Sequence, residues 1–328
     1  MKARDVYFKT MKFVWLKLAL GAAVILFSII LLAICLGLGS LGQGGGMVIG
    51  FWIWLIMVAA VSGIVNHYVG YMIKAGHVAM VTTAVTTGQV PDNQFEVAKN
   101  MVKERFATAN VYFVVDRLVS GAVSQLQKGL QKLDNLLGGI PGVSAILSFA
   151  QMFIQIALGY VDECCLGYTF LHKDQSACKS AADGVVIYFQ NWKKLLKDAA
   201  ITTLIVMGIT LVTWALPFFI FLGILAAFGV QNAWIFAFIL GIMFAAVFKS
   251  AFIDSYMMVK MMVSYMEVAP TTQITFDLYD KLCKLSGKFK KLFNKGQEEQ
   301  QQYYAYQGGS YQTCLLYTSP SPRDTERS

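Results

Sequence analysis

Residues Phe13–Leu38 read FVWLKLALGAAVILFSIILLAICLGL, and this stretch decides the fold. Apart from Lys17 near its start it is apolar throughout, and it exceeds the roughly 18 residues a helix needs to cross about 30 Å of hydrocarbon. The uncharged loop GSLGQGGG, Gly39–Gly46, follows, and apolar sequence resumes as far as Ile73. Backbone N–H and C=O groups in lipid must be satisfied within their own segment, so the two arms form a helical hairpin, Phe13–Ile73. A second hairpin, Ala199–Phe248, turns at the uncharged GVQN, Gly229–Asn232. The fold class is therefore all-α: a polytopic helical membrane protein with two transmembrane hairpins. Met1–Lys12 resembles the start of a secretory signal, but the apolar run behind it is too long for a cleaved h-region, which makes it the first span.

The polar segments complete the division of the chain. Residues 1–90 hold the first hairpin and its N-terminal flank, and 91–139 an amphipathic helical region. The segment 140–172 is apolar, 173–198 amphipathic, and 199–268 holds the second hairpin. A basic, then Tyr/Gln-rich tail spans 269–313. Residues 314–328 stand apart: Cys314–Asp324 reads CLLYTSPSPRD, which resembles an in-frame translation of a transposase-type sequencing adaptor. It is set aside from fold reasoning.

Composition agrees: 56% of residues are hydrophobic and 14% charged, a membrane-protein balance. Lys2, Arg4, Lys9, Lys12 and Lys17 face a single Asp5 at the N-terminus, so the N-terminus is expected in the cytoplasm of a multi-pass cell-membrane protein. Lys99, Lys103, Arg105, Arg117, Lys128 and Lys132, and then Lys281–Lys295, put the two polar regions on the same side. The net charge of +8 then reads as attraction to anionic lipid at the cytoplasmic face, with no nucleic acid as partner. Cys35, Cys164, Cys165, Cys178 and Cys283 show neither C-x-x-C spacing nor an even framework, and His67, His77 and His172 are scattered, so no metal and no cofactor is expected.

Between Gln94 and Leu137 apolar residues recur at helical spacing, from Pro91 and Asp92 to Gly138, Gly139 and Pro141; a continuous helix would reach about 60 Å. Ile140–Val161 is harder to place, because one more crossing would carry the tail to the other side. It dips and returns as a re-entrant helix, or breaks at Gly159 and pairs with Cys164–Leu171, or packs at the interface. Its polar residues Ser144, Ser148, Gln151, Gln155 and Asp162 form one stripe. Ala181–Leu196 is amphipathic and expected to lie in the interface, anchored by Trp192.

The two hairpins align on each other, with Phe51 on Phe236, Leu55 on Leu240, Ala60 on Ala245 and Tyr71-Met72 on Tyr256-Met257. Starting and ending on one side, they would be parallel repeats about an axis along the membrane normal.

Local motifs exclude more than they assign. Gly37–Gly42 fits G-x-G-x-x-G but sits at a membrane turn, without the strand that a dinucleotide site requires. Trp15, Trp52, Trp54 and Trp234 fall near span ends, as headgroup anchors do; the alternative is a cation cage drawing on Tyr68, Tyr71, Trp214 and Tyr256. Pro217 frees the carbonyl of Thr213 and kinks its helix beside Trp214. Lys249, Asp254 and Lys260 punctuate the last apolar helix; if that helix stays buried to Met266, Lys249 and Asp254 form an internal pair. Asp162 and Glu163, adjacent in sequence, point about 100° apart and make no proton-sharing dyad unaided. No nucleophile or acid–base pair marks an enzyme.

Ser180-Ala181-Ala182-Asp183, followed by Asn191 and a long apolar helix, resembles the C-terminal half of the choline transporter-like membrane proteins, where a Ser-Ala-x-x-Ala segment and a later Asn lead into a span. Gly184 stands here where that motif ends in Ala. The resemblance, confined to Tyr160–Ala199, implies transport of a small cationic or amphipathic solute. Gln151, Gln155, Thr213, Trp214 and Pro217 are then the candidate solute contacts, with Asp162, Lys249 and Asp254 as candidate coupling groups. The alternative is a non-transporting scaffold that recruits partners through its cytoplasmic helices. Self-association as a homo-oligomer is compatible with both.

Overall fold

The computed structural model describes residues 1–42, 45–106, 114–125, 128, 155–227, 229 and 233–306. Among these residues every regular element is helical. A short α1, Ala3–Lys9, leads into α2, Met11–Ser40. The chain returns through α3, Gly46–Val65, a π-helical turn, Asn66–Gly70, and α4, Tyr71–Thr87. Next come α5, Gln94–Phe106, and α6, residues 114–125. Two helices, α7, Val161–Leu171, and α8, Ala177–Gln190, precede the second hairpin. That hairpin consists of α9, Trp192–Ala227, and α10, Ala233–Phe248, continued by a second π-helical turn, Lys249–Ile253, and α11, Asp254–Val268. The amphipathic α12, Phe276–Leu285, and α13, Gly287–Tyr306, close the described chain.

Among the described residues four helical segments are long and apolar enough to span a membrane: Met11–Gly39, Val48–Thr87, Trp192–Ala227 and Ala233–Thr271. Their outer parts carry the large exposed apolar side chains, including Leu26, Ile56, Leu211 and Phe219. A contiguous apolar surface on this scale marks contact with lipid.

Small residues close each hairpin. Gly46 and Gly50, one helical turn apart, lie against the backbone of Gly39 and Cys35, where a Cβ would collide. Trp54 donates its indole N–H to the carbonyl of Ser28 at 2.9 Å. In the second hairpin a Cβ on Gly241 would come within 3.3 Å of the Phe218 Cα. Close backbone approach through small residues is what holds helices together in lipid, where apolar burial gives no driving force.

The returning arms are longer than a bilayer is thick. Val48–Thr87 has 40 residues and Ala233–Thr271 has 39, each about 60 Å against about 30 Å of hydrocarbon. The character of each arm changes along its length: Ile56 is 67% exposed whereas Val78, Ala79, Met80 and Val81 are fully buried. Likewise Ile242 is 44% exposed, and Met261 and Met262 are fully buried. Both π-helical turns sit at this change. A π turn inserts a residue and rotates the faces beyond it, so one continuous rod presents an apolar surface to lipid and then another to a protein core.

That core belongs to a helical domain built on the extensions of the spans. Helices α4 and α11 enter it directly, and α5, α7, α8, α12 and α13 pack around them. Tyr188 donates to the carbonyl of Ala157 at 2.7 Å, and Tyr265 to that of Gly184 at 3.2 Å. A Cβ on Gly184 would sit 3.1 Å from the Cα of Cys165, so α7 and α8 touch backbone to backbone. Arg105 ties α5 to the α7–α8 connection through the carbonyls of His172 and Gln175 and the hydroxyl of Ser180.

Here the structure departs from the sequence pattern. Instead of lying along a membrane surface, α8 is buried from Ala181 to Tyr188 inside the domain, because its small residues admit α7 closely and α13 packs against it as well, with Gly296 on the backbone of Lys179. Trp192, 45% exposed, starts the adjoining span. The described part of 140–172 turns at Gly159 and enters the core as α7; Ser144, Ser148 and Gln151 lie outside the described residues, as does 314–328.

Candidate functional site

Directly beneath the hairpins, Lys74 of α4 collects acidic side chains from two other helices. Its Nζ lies 2.6 Å from Asp162 Oδ2, 3.0 Å from Glu163 Oε1 and 3.9 Å from Asp116 Oδ1. Asp116 comes from α6, and Asp162 and Glu163 from the first turn of α7, where unpaired N–H groups favour negative charge. All three acids are at least nine-tenths buried. Glu163 Oε2 and Asp116 Oδ1 have no hydrogen-bond partner.

One ammonium does not balance three buried carboxylates, and the protonation states follow from that. Burial pushes the Glu163 carboxyl well above its usual range, and the charge of Asp162 adds to the shift. Burial, partly offset by Lys74, raises Asp116 to about 6. Asp162 goes the other way: burial opposes its ionisation, but the charge of Lys74 and the hydrogen bonds from Glu163 and Lys74 outweigh it and hold the carboxyl below its ordinary value. The cluster therefore keeps one firm carboxylate, Asp162, and two carboxyls poised to hold protons.

The cluster borders a cavity of about 410 Å³ between the hairpins, walled by Lys17 and Gly21 of α2, Lys74, Glu163, Val247 and Asp254. Lys17 donates to Ser255 Oγ at 2.9 Å. Lys249 and Asp254 pair at 2.6 Å across the second π-helical turn with side chains 45% and 38% exposed, so the pair is not internal although one face of α11 is buried through Met266. The hairpins meet here, where a Cβ on Gly21 would lie 2.5 Å from Val247 Cγ1.

The residues singled out in the sequence divide into two groups. Asp162 and Asp254 belong to this region, with Lys249 paired to Asp254. Thr213, Trp214 and Pro217 lie within the second hairpin. Thr213 donates to the Ile209 carbonyl at 2.6 Å, Trp214 stacks on Phe218, and Pro217 is buried. Gln155 is exposed at the start of the described helix before Gly159, and Gln151 lies outside the described residues. The aromatic residues considered for a cation cage are dispersed, with Tyr256 against Tyr7 and Trp214 against Phe238.

Sequence reasoning missed Lys74, Asp116 and the cavity-facing role of Lys17. The available signal was a lysine one residue beyond the first hairpin's apolar end, on a helix whose pattern continues unbroken. Among the described residues no His, Cys, Asp and Glu group is arranged to hold a metal ion. No family model, no curated protein and no solved structure matches the chain.

Proposed function

We propose that the protein carries a small cationic solute across its membrane through the cavity between the hairpins, exchanging it against a proton held on Glu163 or Asp116. One observation carries this reading: buried carboxylates outnumber the ammonium that faces them, beside a cavity. A buried anion is tolerated when it holds a proton or faces a cation, so solute entry and proton release become alternatives at one site. Ionisable groups at membrane depth or its edge commonly serve such pathways. The resemblance of Tyr160–Ala199 to choline transporter-like proteins points to the same solute class.

In this reading the basic N-terminus, α5, α12 and α13 face the cytoplasm, and no enzymatic reaction is assigned. The π-helical turns at matched places in the returning arms support a duplication with parallel repeats. Gln151, Gln155, Thr213, Trp214 and Pro217 remain proposed solute contacts along the rest of the path. The scaffold reading draws on the exposed basic face of α12 and α13, which includes Lys284, Lys288, Lys290 and Lys291.

Purified protein in vesicles with a trapped pH indicator, given choline and a panel of organic cations, tests the proposal. Saturable uptake accompanied by proton movement is expected, with the proton component lost in Glu163→Gln. No saturable uptake across the panel would favour the scaffold.

A further inference from the structure

We propose that a groove separate from the cavity beside the charge cluster holds one acyl chain of an anionic phospholipid from the surrounding bilayer, with its headgroup on Lys99 and Lys103. The groove has a volume of about 450 Å³ and runs between α2, α4 and α5, a size suited to a small-molecule site. Its floor is apolar and low, made by Gly76 and Ala98 beneath the ring of Phe13. At one end stand Leu16 and Met72, 36% and 40% exposed, on helices whose outer parts face lipid. Trp15, beside Leu16, is 56% exposed, as an indole at headgroup level is.

At the other end Lys99 and Lys103 stand one helical turn apart on α5, both exposed. Neither has a carboxylate within ion-pair distance among the described residues. The nearby acids are engaged elsewhere, Glu104 by Lys173 at 2.9 Å and Glu96 by Asn93 at 3.4 Å. Lys9 and Lys12 are also committed, to the carbonyls of Gly88 and Asp92. An apolar trough entered from the lipid side and ending in two uncompensated cations matches an acyl chain joined to an anionic headgroup. A zwitterionic lipid would fill the trough and bring a phosphate together with its own cation, and so leave the lysines without a net counter-charge.

This inference is independent of the transport reading. Native mass spectrometry of the full chain, released from detergent with phosphatidylserine or phosphatidylcholine of identical chains, tests it. One phosphatidylserine is expected to be retained in preference to phosphatidylcholine. Lys99→Gln with Lys103→Gln is expected to weaken phosphatidylserine roughly 30-fold and phosphatidylcholine, whose choline offsets its phosphate, by far less. Val102→Trp, at the partly exposed wall, is expected to displace both lipids, and glycerol phosphate, lacking an acyl chain, is expected to displace neither. Equal retention of the two lipids, indifference to the double substitution, or displacement by glycerol phosphate would each overturn the proposal.

Discussion

Lys74 and Glu163 face each other at 3.0 Å where the first hairpin's returning arm enters the helical domain, and the second oxygen of Glu163 is buried with no hydrogen-bond partner. The pair joins a membrane span to α7, which otherwise belongs wholly to the domain. Its strength therefore bears on both halves of the molecule.

Removing the cation should show this. Lys74→Met leaves Asp116, Asp162 and Glu163 buried without their shared ammonium, and a broken buried ion pair costs about 3–5 kcal/mol. Thermal unfolding in detergent is expected to fall accordingly. Adding Asp162→Asn to the same chain should recover much of the loss, because it removes the one carboxylate that Lys74 keeps ionised. No recovery in the double variant would mean that Lys74 acts through packing alone.

Asp116 provides a pH signature. Its carboxyl titrates at about 6 in the fold against an ordinary 3.8, so between these values the folded state binds more protons than the unfolded chain. The stabilising contribution is complete below 3.8 and is lost as pH rises through about 6. Asp116→Asn is expected to flatten the stability profile across this window and to raise stability at neutral pH by up to roughly 3 kcal/mol. Denaturation midpoints at a series of pH values decide it; an unchanged slope would rule out the assigned titration.

The hairpins were legible in the sequence because a lipid-facing span needs no partner: a run of apolar residues such as Phe13–Leu38 suffices. The charge cluster was not, since Lys74, Asp116 and the Asp162-Glu163 pair come from three helices that only tertiary packing brings together. Lys74 also lies just past the point where hydropathy falls, where a lysine reads as a membrane boundary. Helix α8 shows a second limit. An amphipathic pattern records that one face is apolar without recording whether lipid or protein covers it, and the backbone contact at Gly184 is what distinguishes the two here. The Lys249–Asp254 pair could be anticipated because both residues share one helix.

Orientation rests on the distribution of Lys and Arg. In a cysteine-free background, Leu41→Cys, at the exposed tip of the first hairpin, is expected to react with a membrane-impermeant maleimide in intact cells. Lys284→Cys, on the exposed face of α12, is expected to react only after the membrane is opened. The reverse pattern would place the helical domain outside the cell.

Gly21 tests whether the space between the hairpins is the working path. Even a Cβ at this position would lie 2.5 Å from Val247 Cγ1, closer than packed carbons approach, so Gly21→Leu must push α2 from α10 or fill the cavity. The helical domain holds its own core through α4, α7, α8 and α11, and its unfolding midpoint is expected to change little. Solute uptake is expected to fall at least tenfold, since a displaced wall alters solute placement. Val247→Ala in the same chain removes the opposing methyls and should restore part of the uptake. If Gly21→Leu transports like the unaltered protein, the path lies elsewhere; if uptake is lost and Val247→Ala does not recover it, the substitution acts through something other than this contact.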